Sequence, residues 1–132
     1  MKRKYNKDVH YVCKLTGIKK IEKVYGKLKN YDVVLTDERI NHIYKRRGKD
    51  SEYILHNIRQ TIENYDYILD ADDYCIRCIK LIENRNVAFV IKLSLNNKTQ
   101  ANSILSAVVI NFKKLNKLII RDKIIDTKHG II

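Results

Sequence analysis

Residues 87–95 alternate between two kinds of side chain, and this pattern constrains the fold more than any other in the chain. The odd-numbered residues are valine, phenylalanine, isoleucine and leucine, whereas the even-numbered ones include Lys92 and Ser94. A period of two indicates a β-strand, because successive side chains of a strand point to opposite faces. Residues 74–82 also have the composition of a strand, and the polar residues 83–86 between the two segments are typical of a hairpin loop. The sequence therefore predicts an antiparallel sheet.

Other segments supply further strands and several helices. Strands are predicted at 9–15, 33–35, 67–69, 103–110 and 124–126, and helices at 18–28, 36–48, 51–64 and 112–119. Helices come first, the antiparallel sheet second and one helix last, which is the order of an α+β fold with N-terminal helices packed on one face of the sheet and a C-terminal helix. We expect one domain over residues 1–132, with frayed ends at 1–8 and 127–132.

The segment from Thr36 to Gly48 carries the start and stop signals of one helix. Thr36 is a suitable N-cap, since its hydroxyl can accept from the free N–H groups of the first turn. Asp37 and Glu38 follow, where negative charge suits the positive end of the helix dipole. Basic residues fill the last turn, and Gly48 can adopt the left-handed conformation that ends a helix. These signals predict a helix that starts after Thr36 and stops at Gly48.

This predicted helix has one apolar face and one basic face. At about 100° per residue, Ile40, Ile43 and Tyr44 share a face and are expected to pack on the core. His42 and Arg46 are four residues apart on nearly the opposite face. The helix is therefore expected to bury one side and to present an imidazole beside a guanidinium group on the other.

Residues 35–38, His42, Ile43 and Arg46 resemble the "LT/S-x-E…H-I-x-x-R-H" helix of the phage-associated barnase–EndoU–colicin–RelE-like nucleases. Arg47 stands where many members carry a second histidine. Residues 62–68 are similar to the family's "I-x-N-x-D-Y-I" passage, and residues 102–107 are similar to its last-strand "N-S/T-I-x-T-A" segment. The resemblance spans roughly residues 10–121. It implies a small α+β ribonuclease that needs no metal and no cofactor.

Cleavage of RNA without a metal requires few groups. A base removes the 2′-hydroxyl proton, an acid protonates the leaving 5′-oxygen, and cations or hydroxyls stabilise the charged phosphorane. Histidine suits the proton transfers and arginine suits the phosphate. We therefore predict His42, Arg46 and Lys92 as catalytic residues, and the resemblance implies a hydroxyl from the last strand, Ser103 or Ser106. In a regular strand these two serines point to opposite faces, so one of them is expected to serve.

Further side chains are predicted around these residues. Arg39, Arg47 and Thr99 are expected to bind the substrate. Since Arg47 occupies the place of the second histidine, His10 is an alternative second proton carrier. The competing interpretation is structural: a helix with a scattered polar face, and small residues tolerated in a strand.

Two other patterns contain residue types that bind metals, but neither has the spacing of a metal site. Cys75 and Cys78 form a C-x-x-C pair within a predicted strand, where residues three apart point to opposite faces. The chain has three cysteines, and this odd number argues against a disulfide framework, so buried thiols are expected. The acidic residues between 63 and 73 lack the spacing of a calcium loop and are interpreted as a solvated turn.

Positive charge is concentrated at both ends of the chain. The net charge is +12, with ten Lys/Arg and two acidic residues in 1–30, and six and two in 111–132. This distribution favours a polyanionic partner, and the alternative is a lysine-rich solvated surface. The expected partners are RNA, tRNA among the candidates, and an acidic antitoxin or immunity protein.

No apolar run approaches the roughly 20 residues that span a bilayer, and no apolar segment follows the basic start of the chain. The sequence therefore predicts a cytoplasmic protein with no membrane partner, one that a phage or a toxin system could deliver into a target cell. The functional prediction is a metal-independent endoribonuclease, phage- or toxin-associated, that leaves a 2′,3′-cyclic phosphate. The alternative is a non-catalytic nucleic-acid-binding or phage interaction module on the same fold.

Overall fold

The computed structural model describes residues 5–129. Its strands are β1 (Val9–Lys14), β2 (Asp32–Thr36), β3 (Tyr67–Asp70), β4 (Cys75–Lys80), β5 (Asn86–Lys92), β6 (Asn102–Ile110) and β7 (Ile124–Thr127). Its α-helices are α1 (Ile18–Tyr25), α2 (Asp37–Arg47), α3 (Ser51–His56), α4 (Ile58–Glu63) and α5 (Phe112–Arg121), with a 3₁₀ turn at Gly48–Asp50. None of the described helices has the length and apolar character needed to cross a membrane.

The seven described strands form one sheet in the order β1-β2-β6-β5-β4-β3-β7. Neighbouring strands are antiparallel except β2 and β6, which run parallel and pair only where Val33 and Val34 meet Asn102 and Ser103. The predicted α+β class is confirmed, and so is the β4–β5 hairpin. The parallel pair was not predicted, because β2 and β6 are far apart in the sequence and nothing local to either one sets their relative direction.

Apolar side chains cover both faces of this sheet. The inner face, defined by Val33, Phe89, Ile91 and Ile104, shares one buried cluster with residues of α1, α2, α3 and α4. The outer face is defined by Leu69, Ile79, Ala88 and Ile110, which pack with Leu115 and Leu118 of α5. The N-terminal helices therefore share one face, as predicted, and the C-terminal helix covers part of the other.

Helix α2 lies against the edge of β6 that β2 leaves unpaired beyond Ser103. The Nη1 of Arg39 donates to the carbonyl of Leu105 at 3.2 Å, and the Nε of Arg47 donates to the carbonyl of Ala107 at 2.6 Å. Carbonyls on an unpaired sheet edge need partners, and here two guanidinium groups supply them.

Between these two arginines, on the same helix face, Ile43 is buried in the inner-face cluster. The face that carries Ile43 contacts the sheet, and Tyr44 lies to one side of it and is 46% exposed. The prediction that Tyr44 packs on the core is therefore wrong. The Thr36 cap is confirmed, because its hydroxyl accepts from the Arg39 N–H at 3.2 Å.

The single helix predicted for 51–64 is broken in two at Asn57. The side-chain amide of Asn57 donates to the Tyr53 carbonyl at 2.8 Å, and its own carbonyl accepts from the Thr61 hydroxyl at 2.7 Å. Such local side-chain bonds compete with the regular helical pattern. Ser51, the first residue of α3, donates its buried hydroxyl to the carbonyl of Ile43 at 3.2 Å.

The C-terminal segment is attached to the fold as far as the structure describes it. Thr127 pairs with Tyr67 in the sheet, and the ring of His129 stacks on Tyr67 with 5.3 Å between centroids. The backbone N–H of Lys128 donates to the Asp66 carbonyl at 3.0 Å. Residues 127–129 are therefore held by contacts that the expectation of a frayed tail did not include. The remaining ends, 1–4 and 130–132, lie outside the described residues.

Candidate functional site

A bulge in β6 determines which of the predicted site residues share a face. Lys92 pairs with Ser103 and Val90 pairs with Ser106. A step of two residues along β5 therefore corresponds to a step of three along β6, and the register shifts at Leu105. Residues that pair across strands lie on the same face, and Val90 and Lys92 are two apart. Ser103 and Ser106 therefore both lie on the outer face with Lys92. The prediction that the two serines point to opposite faces is wrong, because it assumed a regular strand.

Beside Ser103 the outer face carries a groove of about 470 Å³, which we call the strand-end groove. Its floor is formed by the ends of four strands and its wall by the loop that joins β5 to β6. The residues that line it are Tyr5, Val9, Val34, Thr36, Lys92, Leu93, Ser94, Leu95, Asn96, Thr99, Gln100, Ala101 and Ser103. The groove thus brings together three of the predicted residues, Lys92, Ser103 and Thr99.

A buried amide fixes the end of β5 against β2 and β6 beneath this groove. The Nδ2 of Asn102 donates to the carbonyls of Asn30 and Asp32 at 2.8 and 2.9 Å, and its Oδ1 accepts from the Ser94 N–H at 2.8 Å. Asn102 is fully buried. A buried amide with these bonds is a structural residue whose loss leaves unpaired groups behind. It holds the groove wall at a set distance from Ser103.

The predicted pair on α2 lies away from this groove. His42 is half-buried and makes no hydrogen bond to any residue from 5 to 129, and Arg46 is exposed. Neither residue is among those that line the strand-end groove in the described part of the chain, and Ser106 is not among them either. The groove therefore holds predicted residues with hydroxyl and ammonium groups, and His42 and Arg46 are not among the residues that line it.

Arg39 and Arg47 have a structural role that the sequence did not reveal. Both were predicted to bind the substrate, and both are half-buried with a guanidinium N–H donated to a carbonyl of β6. A guanidinium has five N–H donors, so each arginine keeps others for a ligand. Its position, however, is set by the sheet edge.

A second imidazole, that of His10, lines a cavity next to the groove, although His10 pairs with Leu35 and therefore lies on the inner face of the sheet, opposite Lys92 and Ser103. The Nε2 of His10 is 2.6 Å from Oδ1 of Asp37, and the two side chains are 50% and 58% exposed. His10 lines a neighbouring cavity of about 800 Å³ that shares Tyr5 and Val9 with the strand-end groove. A carboxylate that bonds one ring nitrogen fixes the orientation of a histidine, as in proton-transfer pairs of enzymes.

The thiols are buried, as the sequence predicted. Cys13, Cys75 and Cys78 are free cysteines, and burial raises the pKa of Cys13 to about 11 and that of Cys78 to about 12. Such thiols are held in the neutral form and are poor nucleophiles. In the range 5–129 no group of three His, Cys, Asp or Glu residues is placed to hold a metal ion.

The groove contains residues that the sequence did not single out. Tyr5 was assigned to a frayed end, yet its hydroxyl donates to the buried carboxylate of Asp32 at 2.7 Å and its side chain borders the groove. Thr36 was identified only as a helix cap. The groove wall could have been predicted from the polar run 94–103. This run contains more Asn, Thr, Gln and Ser residues than a hairpin turn requires.

Comparison of this chain with protein-family models, with curated proteins and with solved structures gave no match in any of the three. The relation to the nucleases named above therefore stays a prediction from the sequence motifs.

Proposed function

We propose that this chain is a metal-independent endoribonuclease, phage- or toxin-associated, that cleaves RNA by attack of a 2′-hydroxyl and leaves a 2′,3′-cyclic phosphate. We further propose that its fold is a variant of the barnase–EndoU–colicin–RelE arrangement. The observation that carries the proposal is the meeting of Lys92, Ser103 and Thr99 in one groove at the end of the sheet.

These three side chains suit a phosphate that gains charge. Lys92 and Ser103 face each other across β5 and β6, and such pairs have Cβ atoms about 5 Å apart. An ammonium group and a hydroxyl at that separation can both reach the oxygens of one phosphodiester. Donors fixed where negative charge develops lower the barrier of the reaction. In this mechanism Lys92, Ser103 and Thr99 stabilise the phosphorane.

Proton transfer is assigned to an imidazole, and two of the chain's four histidines are candidates, His10 and His42. His10 has an orienting carboxylate in Asp37 and borders the cavity next to the groove. His42 is supported by the resemblance of α2 to the nuclease helix, and Arg46 stands one turn away from it. One imidazole removes the 2′-hydroxyl proton and an acid protonates the 5′-oxygen. Substituting each histidine separately decides which of the two acts.

The partners follow from the same proposal. The substrate is a structured RNA such as a tRNA, which the resemblance suggests by analogy. An acidic antitoxin or immunity protein that protects the producing cell would cover the strand-end groove.

A second candidate function is a non-catalytic RNA-binding module. The observation that favours it is that neither His42 nor Arg46 lines the groove in the part of the chain described. Such a module would keep the salt-sensitive binding that lysines confer and would lack cleavage.

The experiment is incubation with total RNA in EDTA, for the wild type and the variants H42A, H10A and K92A. The proposal predicts cleavage by the wild type in EDTA, loss of cleavage in K92A, and loss in at least one histidine variant. The matched controls are H56A, on the exposed surface of α3, and K113A, on exposed α5. Binding without cleavage in the wild type would support the module instead.

A further inference from the structure

The turn between β3 and β4 has a strained backbone and carries the exposed aromatic ring of Tyr74. Asp72, Asp73 and Tyr74 have φ values of 69°, 52° and 60°, a region that residues other than glycine rarely adopt. Hydrogen bonds fix the turn on both sides: the Ala71 N–H donates to the Cys75 carbonyl at 2.9 Å, and the Cys75 N–H donates to the Asp72 carbonyl at 3.0 Å. Strain of this kind persists only where surrounding structure enforces it, and it clusters at binding sites.

The backbone of Tyr74 is anchored while its side chain is free. Its carbonyl accepts from the Leu93 N–H at 3.1 Å, which ties the turn to the residue that follows β5. Its side chain leaves the residue 65% exposed, more than any other aromatic residue between 5 and 129. The backbone that carries the ring is therefore fixed, and the ring itself lies exposed at the surface.

This ring borders a second groove that continues the first. A cavity of about 730 Å³ lies between Tyr74 and the segment after α1, and it shares Lys92, Leu93, Leu95 and Asn96 with the strand-end groove. Its other lining residues are Tyr25, Lys27, Lys29 and Asp73. Lys92 therefore stands where the two grooves join.

Charge and shape together indicate the occupant. Lys27, Lys29 and Lys92 line the second groove, and Asp73 is the one carboxylate among its described lining residues. The Asp70 carboxylate nearby accepts from the Tyr25 hydroxyl at 2.7 Å. The lysines that line the groove outnumber its carboxylate, so the site suits an anion that extends along it. An exposed ring beside a row of cations is the arrangement that binds single-stranded nucleic acid, in which bases stack on the aromatic side chain and phosphates meet the lysines. The bases of a duplex are paired and stacked, so they cannot reach such a ring.

We propose that Tyr74 is a stacking platform for an unpaired base of RNA, and that Lys27 and Lys29 bind the phosphates next to it. The inference rests on the proposed function and deepens it, because it makes an unpaired segment, such as a loop of a structured RNA, the part of the substrate that is bound. Tyr74 holds the strand in the second groove, and the neighbouring phosphodiester passes Lys92 into the strand-end groove.

The chain has no tryptophan, so one tryptophan at the platform is a specific reporter. The test titrates the Y74W variant with a 2′-O-methyl oligouridylate of 12 nucleotides, which cannot be cleaved at its 2′-oxygen. The matched control is Y44W, whose parent tyrosine is 46% exposed on α2 outside both grooves. We expect quenching of Y74W fluorescence by the single strand, little quenching by a 12-base-pair duplex of the same chemistry, and little change in Y44W.

Substitutions then separate stacking from charge. Y74L is expected to weaken binding of the single strand by roughly five- to hundredfold, while Y74F restores it, because stacking needs the ring and not the hydroxyl. K27A and K29A should each reduce the steepness of the slope of log K against log salt concentration by about 0.7. K113A and K117A on α5 should leave this slope unchanged. D73N is expected to tighten binding.

The outcomes distinguish the two proposals because the oligonucleotide cannot be cleaved. Quenching of Y74W in a protein that cleaves no RNA retains the platform and overturns the nuclease. The reverse outcome has two forms. If RNA is cleaved but the Y74W and Y44W variants respond alike, or if Y74L binds as tightly as Y74F, the nuclease proposal stands and the platform proposal is overturned.

Discussion

The Nε of Arg47 donates to the carbonyl of Ala107 at 2.6 Å and thereby joins the last turn of α2 to the unpaired edge of β6. The nucleases that this chain resembles often carry a second histidine at the Arg47 position. Here a long guanidinium side chain reaches a backbone carbonyl of the sheet. The departure from the motif therefore has a structural consequence, since Arg47 and Arg39 together attach the helix that carries His42.

We expect R47A to lower the free energy of unfolding by about 1.5–3 kcal/mol, the usual range for a hydrogen bond from a charged group. R46A should change it by less than about 0.5 kcal/mol, because Arg46 is exposed. Urea denaturation followed by circular dichroism measures both. Equal costs for the two variants would show that the contact with Ala107 adds nothing to stability.

Asn102, which is buried beneath the strand-end groove, is expected to be highly sensitive to substitution. N102A removes two donors and one acceptor from a fully buried site and should cost about 2–4 kcal/mol. N96A, on the exposed wall of the same groove, serves as the control. If N102A unfolds at the same urea concentration as the wild type, the amide does not hold the groove wall.

Gly17 is predicted to tolerate no side chain. A Cβ there would lie 2.7 Å from Oη of Tyr65 and 3.0 Å from Cδ1 of Ile68, at a φ of +68°. Gly26 also has positive φ, +92°, but an added Cβ would meet nothing within 4 Å. Alanine at Gly17 therefore carries left-handed backbone strain of about 1 kcal/mol and a clash with Tyr65, whereas G26A, at a φ of +92° and a ψ of −178°, carries backbone strain of about 1–3 kcal/mol and no clash. Thermal melts should show that G17A/Y65F is destabilised by less than the sum of the two single variants, because phenylalanine lacks the atom nearest the added Cβ, and additive costs would contradict the packing described.

Stability should decline at alkaline pH. Burial raises the pKa of Cys13 from 9.0 to about 11 and that of Cys78 to about 12, and it also raises the pKa of Tyr25 and Tyr65. The folded chain keeps protons that the unfolded chain releases, so stability is unaffected below about pH 9 and falls as the pH rises from there toward 12. Urea midpoints at pH 8 and pH 10.5 test this, with C78A expected to show a smaller decline. A midpoint independent of pH would mean that these groups are accessible to solvent.

The sequence predicted the elements whose signals are local. The alternation of 87–95 identified β5 and its inner face, and the Thr36 cap and Gly48 stop identified α2. Lys92, Ser103 and Thr99 were predicted as site residues one by one, and in the structure all three line the strand-end groove.

What the sequence did not predict depends on contacts between distant segments. The bulge at Leu105 arises from the register of β5 against β6, and it alone puts Ser103 and Ser106 on one face. The exposure of Tyr44 follows from the unpaired edge of β6, toward which α2 turns Arg39 and Arg47. The strain at Tyr74 has no local signal either, because the turn contains no glycine.

The central claim is that the RNA's own 2′-hydroxyl is the nucleophile in a reaction without metal. The most direct measurement uses an RNA that the protein cuts at one position. It is compared in EDTA with the same RNA carrying a single 2′-deoxynucleotide on the 5′ side of that bond, and the products are identified by mass spectrometry. We predict that the unmodified RNA yields a 2′,3′-cyclic phosphate and that the deoxy-substituted RNA stays intact at that position. Cleavage of the substituted RNA at the same bond, or the absence of any cleavage in EDTA, would contradict the account.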